Sequence, residues 1–188
     1  MKTMPLDKIL QSQGFGTRKW CRQLIADGAV CVGGEVVTQY DRTFVAEGLE
    51  FTVHDEPWTC RARIYLALNK PPGYECSRKP AHHPAVLTLL PEQFAWRDVQ
   101  PVGRLDHDTT GLLLLSDDGA FIHAQSSPKR HVPKVYEATT HDPITPELLV
   151  LLREGVQLHD EPAPLTAQVR QLDTHRLEIV LEQGKYHQ

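Results

Sequence analysis

The stretch VGRLDHDTTGLLLLSDDG, residues 102–119, constrains the fold more than any other part of the sequence. Its four consecutive leucines, Leu112–Leu115, lie between a glycine and a Ser-Asp-Asp-Gly turn, which predicts a short and fully buried strand. Asp106 and Asp108 lie at one mouth of this strand, where a fold can hold a carboxylate rigidly beside a cleft. The two aspartates after the leucines precede a glycine and are interpreted as turn residues.

The neighbouring sequence supplies further elements of a sheet domain. Ile64–Leu68 is predicted to form a buried strand that ends in the turn Pro71-Pro72-Gly73. Pro146 is placed at the start of a helix that ends at Gly155, and THRLEIVLEQG alternates as a strand. The mixture follows no regular β-α-β period. It predicts an α+β domain with a mixed, mainly antiparallel sheet flanked by helices.

The first 30 residues predict two short helices, and alternating residues with glycine turns predict small strands after them. Thr17 can cap the second helix, and Gly28 can end it. Four residues of this helix are expected to share a buried face: Trp20, Cys21, Leu24 and Ile25. Three basic residues then lie off that face, towards solvent or a ligand: Arg18, Lys19 and Arg22.

The charge distribution suggests contact with phosphates at particular places. A net charge of −4 argues against a general polyanion binder. Basic residues nevertheless cluster on the second helix and again within residues 123–136, a segment that contains Lys129, Arg130 and Lys134 and no acid. Two separate positive patches on an acidic chain suggest targeted contact with phosphates.

The sequence also argues against two classes of protein, those that span a membrane and those that are secreted through a signal peptide. No window reaches the roughly 20 apolar residues of a transmembrane helix, and the N-terminus lacks the apolar core of a signal peptide. We therefore expect a cytoplasmic location without membrane association. The four cysteines form no Cys-x-x-Cys pair and the histidines form no metalloenzyme pattern, so reduced thiols and no metal site are expected.

Three short motifs occur in order near the N-terminus. They are an LDK start at residues 6–8, an Arg-to-Val helix and strand pattern at residues 18–32, and a Val-x-x-Gly turn at residues 45–48. Together they resemble the S4 RNA-binding domain. The resemblance implies that the three basic residues of the second helix contact RNA.

Four longer motifs occur in order within residues 64–188: LNKPPGYECS, GRLDHDTTGLLLLSDDG, SPKRHVPKVYEA and LEQGKYHQ. They resemble the RsuA-like pseudouridine synthases, and GVQLHDE at residues 155–161 is most similar to the branch that acts on small-subunit ribosomal RNA. The resemblance implies an S4-like domain at residues 1–57, a linker at 58–62 and a catalytic domain at 63–188.

The resemblance also implies a reaction. One uridine of small-subunit (16S) ribosomal RNA, at the uridine-516 type site, would be isomerised to pseudouridine by a monomer, with naked RNA or an assembling particle as the partner. The N1–C1′ bond breaks, the uracil rotates and C5 bonds to the sugar, with no cofactor and no metal. Asp106 is implied to be the essential carboxylate, which either attacks the sugar or base or removes a sugar proton.

Further residues acquire roles by the same resemblance. Tyr136 is implied to stack on the flipped base and to help proton transfer at C5, since a phenol offers a flat face and a proton donor. Arg104 is implied to fill the space that the flipped uridine leaves and to touch phosphates. The basic island of Lys129, Arg130 and Lys134 is implied to line the RNA path.

Two alternatives stay open at this point. Asp106-x-Asp108-x-Thr110 matches the signature of the haloacid-dehalogenase-like phosphotransferases, in which the first aspartate attacks phosphorus. That motif should follow directly on an apolar strand, whereas Gly103 and Arg104 precede it here. The second alternative is an RNA-binding module without catalytic activity.

The C-terminal motif differs from the family pattern. In the family, GKYHQ continues to a lysine or arginine that pairs with the catalytic aspartate, whereas this sequence ends at Gln188. A truncated catalytic domain is therefore expected, which binds RNA through its S4 domain but has little isomerase activity, because a carboxylate without a nearby cation titrates higher and is less firmly oriented.

Overall fold

The computed structural model of the chain describes residues 3–159 and 161–182. They form two compact units, one within residues 1–122 and the other within residues 123–188. This division follows contacts, and the domain boundaries drawn from sequence motifs stay a prediction. The C-terminal motif residues 184–188, with the expected truncation, and Asp160 of the GVQLHDE segment lie outside the described residues.

The described residues form five α-helices: α1 (Leu6–Ser12), α2 (Arg18–Ala26), α3 (Glu92–Trp96), α4 (Gly119–Ser126) and α5 (Pro146–Glu154). Two short 3₁₀ turns occur at Val86–Leu89 and Pro128–Arg130. None of the helices within the described ranges is long and apolar enough to span a membrane.

Twelve strands are formed by the described residues. In the first unit they are β1 (Thr3–Pro5), β2 (Val30–Val32), β3 (Glu35–Val36), β4 (Thr43–Val45), β5 (Glu50–Val53), β6 (Glu56–Thr59), β7 (Tyr65–Lys70), β8 (Gln100–Pro101) and β9 (Gly111–Ser116). In the second unit they are β10 (Lys134–Thr139), β11 (Gln168–Gln171) and β12 (Arg176–Leu181). These strands pair antiparallel, in the orders β1-β4, β3-β2-β5-β6, β7-β9-β8 and β10-β12-β11.

The N-terminal helices pack on the small sheets as their apolar spacing predicts. Thr17 caps α2, where its side chain accepts the N–H of Trp20 at 3.3 Å, and Gly28 follows the helix with φ +73°. Cys21 and its apolar neighbours on α2 are buried, as predicted, in a core with α1 and the strands. The prediction was wrong for Trp20, which is 57% exposed because it lies at the edge of the apolar face.

The leucine run forms β9, the central strand of the sheet β7-β9-β8. The prediction of a fully buried strand was wrong, because side chains alternate across a strand and only one face of β9 points into the core. Leu113 and Leu115 are 2% and 0% exposed, whereas Leu112 is 71% exposed. The strand predicted at Ile64–Leu68 is observed as β7, with the same alternation.

The two aspartates that follow the leucines are structural, as predicted, but the glycine expected in their turn, Gly119, is the first residue of α4. Asp118 accepts the N–H groups of Ala120 and Phe121 at 3.0 and 3.2 Å and so caps the start of α4. Its other oxygen accepts the hydroxyl of Tyr65 at 2.7 Å. Asp117 accepts the N–H of Ile64 at 2.8 Å, which ties the end of β9 to the start of β7.

In the second unit, α5 packs on the sheet β10-β12-β11. Thr145 caps α5 by accepting the N–H of Leu148 at 3.2 Å, with Pro146 in the first turn. Gly155 ends the helix with φ +127°, where an added Cβ would lie 2.9 Å from Pro164. The start and end predicted for this helix are therefore confirmed.

Candidate active site

Two sequence motifs meet at one end of the β7-β9 pair. The strands are antiparallel with Lys70 opposite Gly111, so the chain leaves β7 beside the point where it enters β9. The loop that follows β7, residues 71–76, therefore lies against the loop that precedes β9, residues 104–110. We call the second of these the aspartate loop, since it carries Asp106.

Lys70 joins the two loops from the inside. Its position on β7 points it to the core face with Leu66 and Leu68, and it is 0% exposed. The Nζ atom lies within hydrogen-bond distance of four backbone carbonyls, those of Pro71 (3.2 Å), Asp106 (3.0 Å), His107 (3.1 Å) and Thr109 (2.9 Å), so its three N–H groups serve four acceptors and at least one of them is shared. Three of these acceptors belong to the aspartate loop, so a single buried cation fixes its backbone.

Three more contacts hold the aspartate loop from the side. The N–H of Gly73 donates to the carbonyl of His107 at 2.7 Å. The N–H of Leu105 donates to Sγ of Cys76 at 3.4 Å. The imidazole of His107 stacks on that of His83, with ring centroids 4.3 Å apart and planes 6° from parallel. The loop is thus a preorganised platform, which is what a reacting group requires.

His83 belongs to a loop that is closed around Glu75. The carboxylate of Glu75 accepts the backbone N–H groups of His82, Ala81 and His83 at 2.9, 3.0 and 2.9 Å. These hydrogen bonds, led by that from His82, lower the pKa of Glu75 to about 2. The charged carboxylate therefore keeps His83 in position beside the aspartate loop.

The Glu75 loop gives a pH-dependent prediction. Because folding lowers the pKa of Glu75 below its ordinary value of about 4.3, the stabilisation is complete above that pH and is lost as the pH falls towards about 2. The amide shifts of Ala81, His82 and His83 in NMR spectra should titrate with a midpoint near 2, and Glu75→Gln should remove this titration. A midpoint near 4.3 would contradict the geometry.

Asp106 begins a tight turn in the aspartate loop. Its carbonyl accepts the N–H of Thr109 at 3.2 Å in addition to the Lys70 ammonium. The residue is exposed, as is Arg104 two positions earlier. The backbone at Asp106 is therefore fixed, while its side chain lies at a surface that a large substrate can cover.

The basic residues predicted to contact RNA on α2 are organised by a buried acid. Oδ2 of Asp7, which is 0% exposed, accepts Nε of both Arg18 and Arg22 at 2.8 Å. Burial raises the pKa of Asp7, but the hydrogen bonds from Arg22 and Arg18 outweigh it and hold the pKa below its usual value. The two arginine side chains stay 44% and 42% exposed, and Lys19 between them is exposed.

The remaining predicted residues lie in the second unit. Tyr136 is half-buried on β10, opposite Ile179 of β12. Lys129 and Arg130 are exposed on a 3₁₀ turn, and Nζ of Lys134 donates to the carbonyl of Val132 at 3.2 Å. Asp106 and Arg104 belong to the first unit.

The sequence pattern did not identify Lys70 or Asp7 as site residues. Lys70 lies in the quoted motif LNKPPG, but a lysine in such a motif is expected to be exposed. Only the register of β7 against β9 shows that its side chain points inward. Asp7 lies in the LDK start, and its burial depends on the packing of α1 against α2. Among the described residues, no group of three or more His, Cys, Asp and Glu side chains could hold a metal ion.

Comparisons with known proteins assign the chain to a family. Residues 64–188 match the family model of RNA pseudouridylate synthases, and residues 4–44 match that of the S4 domain. A solved structure described as a pseudouridylate synthase superposes with a TM-score of 0.63 at 32% identity, over 98% of this chain and 79% of that one. The predicted fold class is confirmed, and the phosphotransferase alternative is not supported.

Individual relatives of the chain support the same family. An uncharacterized RNA pseudouridine synthase of Bacillus subtilis is 36% identical over 98% of this chain and 79% of its own length. The ribosomal small subunit pseudouridine synthases A of Escherichia coli and Salmonella typhimurium are 34% and 39% identical, each over 98% of this chain and 80% of their own length. The chain therefore belongs to the RNA pseudouridylate synthase family and carries an S4 domain before the synthase region.

Proposed function

We propose that this protein isomerises a uridine of small-subunit ribosomal RNA to pseudouridine, with Asp106 as the catalytic carboxylate. The observation that carries the proposal is the exposed Asp106 on a loop whose backbone is fixed by the buried ammonium of Lys70. The choice of RNA is supported by the relatives from Escherichia coli and Salmonella typhimurium, which are named as ribosomal small subunit pseudouridine synthases A.

The isomerisation requires little more than one oriented carboxylate. The N1–C1′ bond of uridine breaks, a C5–C1′ bond forms, the proton on C5 is lost and N1 is protonated, so atoms and electrons balance within the nucleoside. Asp106 serves either as the nucleophile or as the base that removes a sugar proton. Tyr136 stacks on the flipped uracil and helps the proton transfer at C5.

Release of tritium from 5-tritiated uridine in small-subunit ribosomal RNA tests the activity, because the C5 proton leaves only if the C5–C1′ bond forms. We expect release by the wild-type protein and none by Asp106→Asn. Wild-type release no greater than that of the variant would favour the alternative, an RNA-binding module without catalysis.

The target is proposed to be the uridine-516 type site. The resemblance of residues 155–161 to the small-subunit branch supports this choice, which carbodiimide labelling and primer extension on the reacted RNA can test. A single stop at another uridine would reassign the target while leaving the activity in place.

RNA contact is proposed for Arg18, Lys19 and Arg22 on α2, for Arg104 at the start of the aspartate loop, and for Lys129, Arg130 and Lys134. Arginine offers several N–H donors, so the Nε bond to Asp7 leaves others for a phosphate. Arg22 also stacks on Tyr40, with 4.4 Å from its guanidinium carbon to the ring centroid. The pairing with Asp7 preorganises both arginines for a phosphate.

The three basic residues of α2, Arg18, Lys19 and Arg22, form what we call the α2 patch. Lys19→Gln is the cleanest test of its role. Arg18→Ala or Arg22→Ala would also leave Asp7 buried without its cation and so destabilise the fold. Loss of one phosphate contact by Lys19→Gln should reduce the slope of log affinity against log salt by about 0.7 to 0.9. Arg170→Gln, which removes a positive charge from β11, is the matched control. An unchanged slope for Lys19→Gln would make this lysine an ordinary surface charge.

A further inference from the structure

A buried ion pair lies where the leucine strand β9 ends. Arg97, at the C-terminal cap of α3, donates from Nε and Nη2 to Oδ2 of Asp117 at 3.0 and 2.6 Å. The two side chains are 4% and 8% exposed. The other carboxylate oxygen of Asp117 accepts the N–H of Ile64, so this side of the guanidinium is fixed to the synthase region.

The other side of the same guanidinium binds the N-terminal region. Nη1 of Arg97 donates to Oε1 of Gln13 at 2.7 Å and to the carbonyl of Arg61 at 2.9 Å, and Nη2 donates to the carbonyl of Ala62 at 3.3 Å. Gln13, the residue after α1, is 1% exposed. Its amide also exchanges two hydrogen bonds with the backbone of Arg61, at 3.0 and 3.2 Å.

Close packing surrounds this network. An added Cβ on Gly14 would lie 2.0 Å from the carbonyl oxygen of Gln93 on α3, so only glycine permits the approach. The Trp58 ring of β6 packs on the Phe94 ring of α3, with centroids 5.5 Å apart. The S4 region and the synthase region therefore touch through backbone and rings as well as through Arg97.

These contacts have a mechanical consequence. Two domains joined by a short connection move relative to each other by default, unless the interface between them prevents the motion. Arg97 uses all of its N–H donors, on both sides of the connection, in a buried site. A fully satisfied buried network specifies one arrangement, because any displacement leaves polar groups without partners.

We propose that Arg97 is a positioning residue that locks the S4 domain to the synthase sheet and so fixes the separation between the α2 cations and Asp106. The inference rests on the proposed function, in which α2 anchors the RNA. With the separation fixed, RNA held on α2 presents to Asp106 only a uridine at a matching distance. Arg97 thereby acts on substrate choice without touching the substrate.

Trypsin tests the lock without any assay of activity. The Arg61–Ala62 bond lies in the locked connection, where Arg97 and Gln13 hold the carbonyl of Arg61. Arg97→Met should accelerate cleavage at this bond at least about tenfold, since hydrogen bonds to a charged group are lost. Arg78→Met is the matched control, because it removes an exposed ion pair with Asp98 at the same end of α3.

Kinetics on two RNAs test the positioning role. One is small-subunit ribosomal RNA, and the other is a short stem-loop that carries only the target uridine. For the long RNA, Arg97→Met should raise KM about tenfold or more with kcat little changed, since linked binding sites gain roughly 10² to 10⁴ in avidity. For the stem-loop, KM and kcat should match those of wild type.

Gln13→Met is a second test in case Arg97→Met does not fold, because it leaves the Arg97–Asp117 pair in place. Like Arg97→Met, it should accelerate trypsin cleavage at the Arg61–Ala62 bond and raise KM for the long RNA. Cleavage equal to that of Arg78→Met would overturn the lock, whatever the activity of the wild-type protein. Faster cleavage with an unchanged KM for the long RNA, or an equal loss of kcat on both RNAs, would overturn the positioning role.

Discussion

Asp106→Asn should reduce pseudouridine formation by about 10⁴-fold or more, the scale seen when a single essential catalytic group is removed. Asparagine has nearly the same shape as aspartate, and the hydrogen bonds from Lys70 and from the N–H of Thr109 are made to the backbone carbonyl of this residue. The turn and its Lys70 contacts should therefore survive the change. The loss then reports the carboxylate itself, whether it acts as nucleophile or as base.

Single-turnover rates on the same RNA, with RNA affinity and the free energy of unfolding measured in parallel, separate chemistry from folding. Asp98→Asn is the control, an exposed aspartate in the same unit whose partner is Arg78. We expect affinity and stability of Asp106→Asn to match the wild type while the rate collapses. A rate within tenfold of wild type would move the catalytic role to another residue.

Lys70→Met should have the second-largest effect, and it should act on both stability and rate. Methionine fills a similar volume but donates no hydrogen bond, so three carbonyls of the aspartate loop lose a donor. The carbonyls of Asp106 and His107 still accept the N–H groups of Thr109 and Gly73, so the cost, about 1 to 3 kcal/mol for an unsatisfied buried group, falls mainly on the Thr109 carbonyl. The loop is expected to move to recover these bonds, and a displacement of about 1 Å can reduce a rate roughly 10²-fold.

Urea unfolding and single-turnover kinetics measure the two consequences of Lys70→Met. Lys79→Met, at an exposed lysine of the neighbouring loop, is the matched control and should change neither. RNA affinity should stay close to wild type, because the α2 patch is built on Asp7 and not on Lys70. A wild-type rate in Lys70→Met would show that the ammonium does not position Asp106.

Local sequence was sufficient for the elements whose start and end depend on neighbouring residues. Thr17 caps α2 and Pro146 begins α5 as predicted, and Gly155 ends α5 in a backbone conformation that favours glycine. The leucine run formed a strand, and Asp118 caps the helix that begins at Gly119. Capping and turn formation involve residues three or four positions apart, so these features can be read directly from the chain.

The burial of individual side chains could not be predicted from the sequence as well as the starts and ends of the elements. The leucines of β9 all look equally apolar, yet the pleat sends Leu112 outward and Leu113 inward. Trp20 looks like a core residue on α2 but lies at the edge of the packed face. Which side of an element meets the core depends on what packs against it, and that partner is remote in sequence.

The sequence by itself determined the order of the motifs, the family to which they point, and Asp106 as the carboxylate to test. Only the tertiary structure decided what holds the backbone of the loop that carries this residue and what could hold the S4 domain in place. Lys70 meets Thr109 across 39 positions, and Gln13 meets Arg97 across 84. The physical reason is that a buried polar side chain is defined by its partners, and strand register and domain packing bring those partners together only in the folded chain.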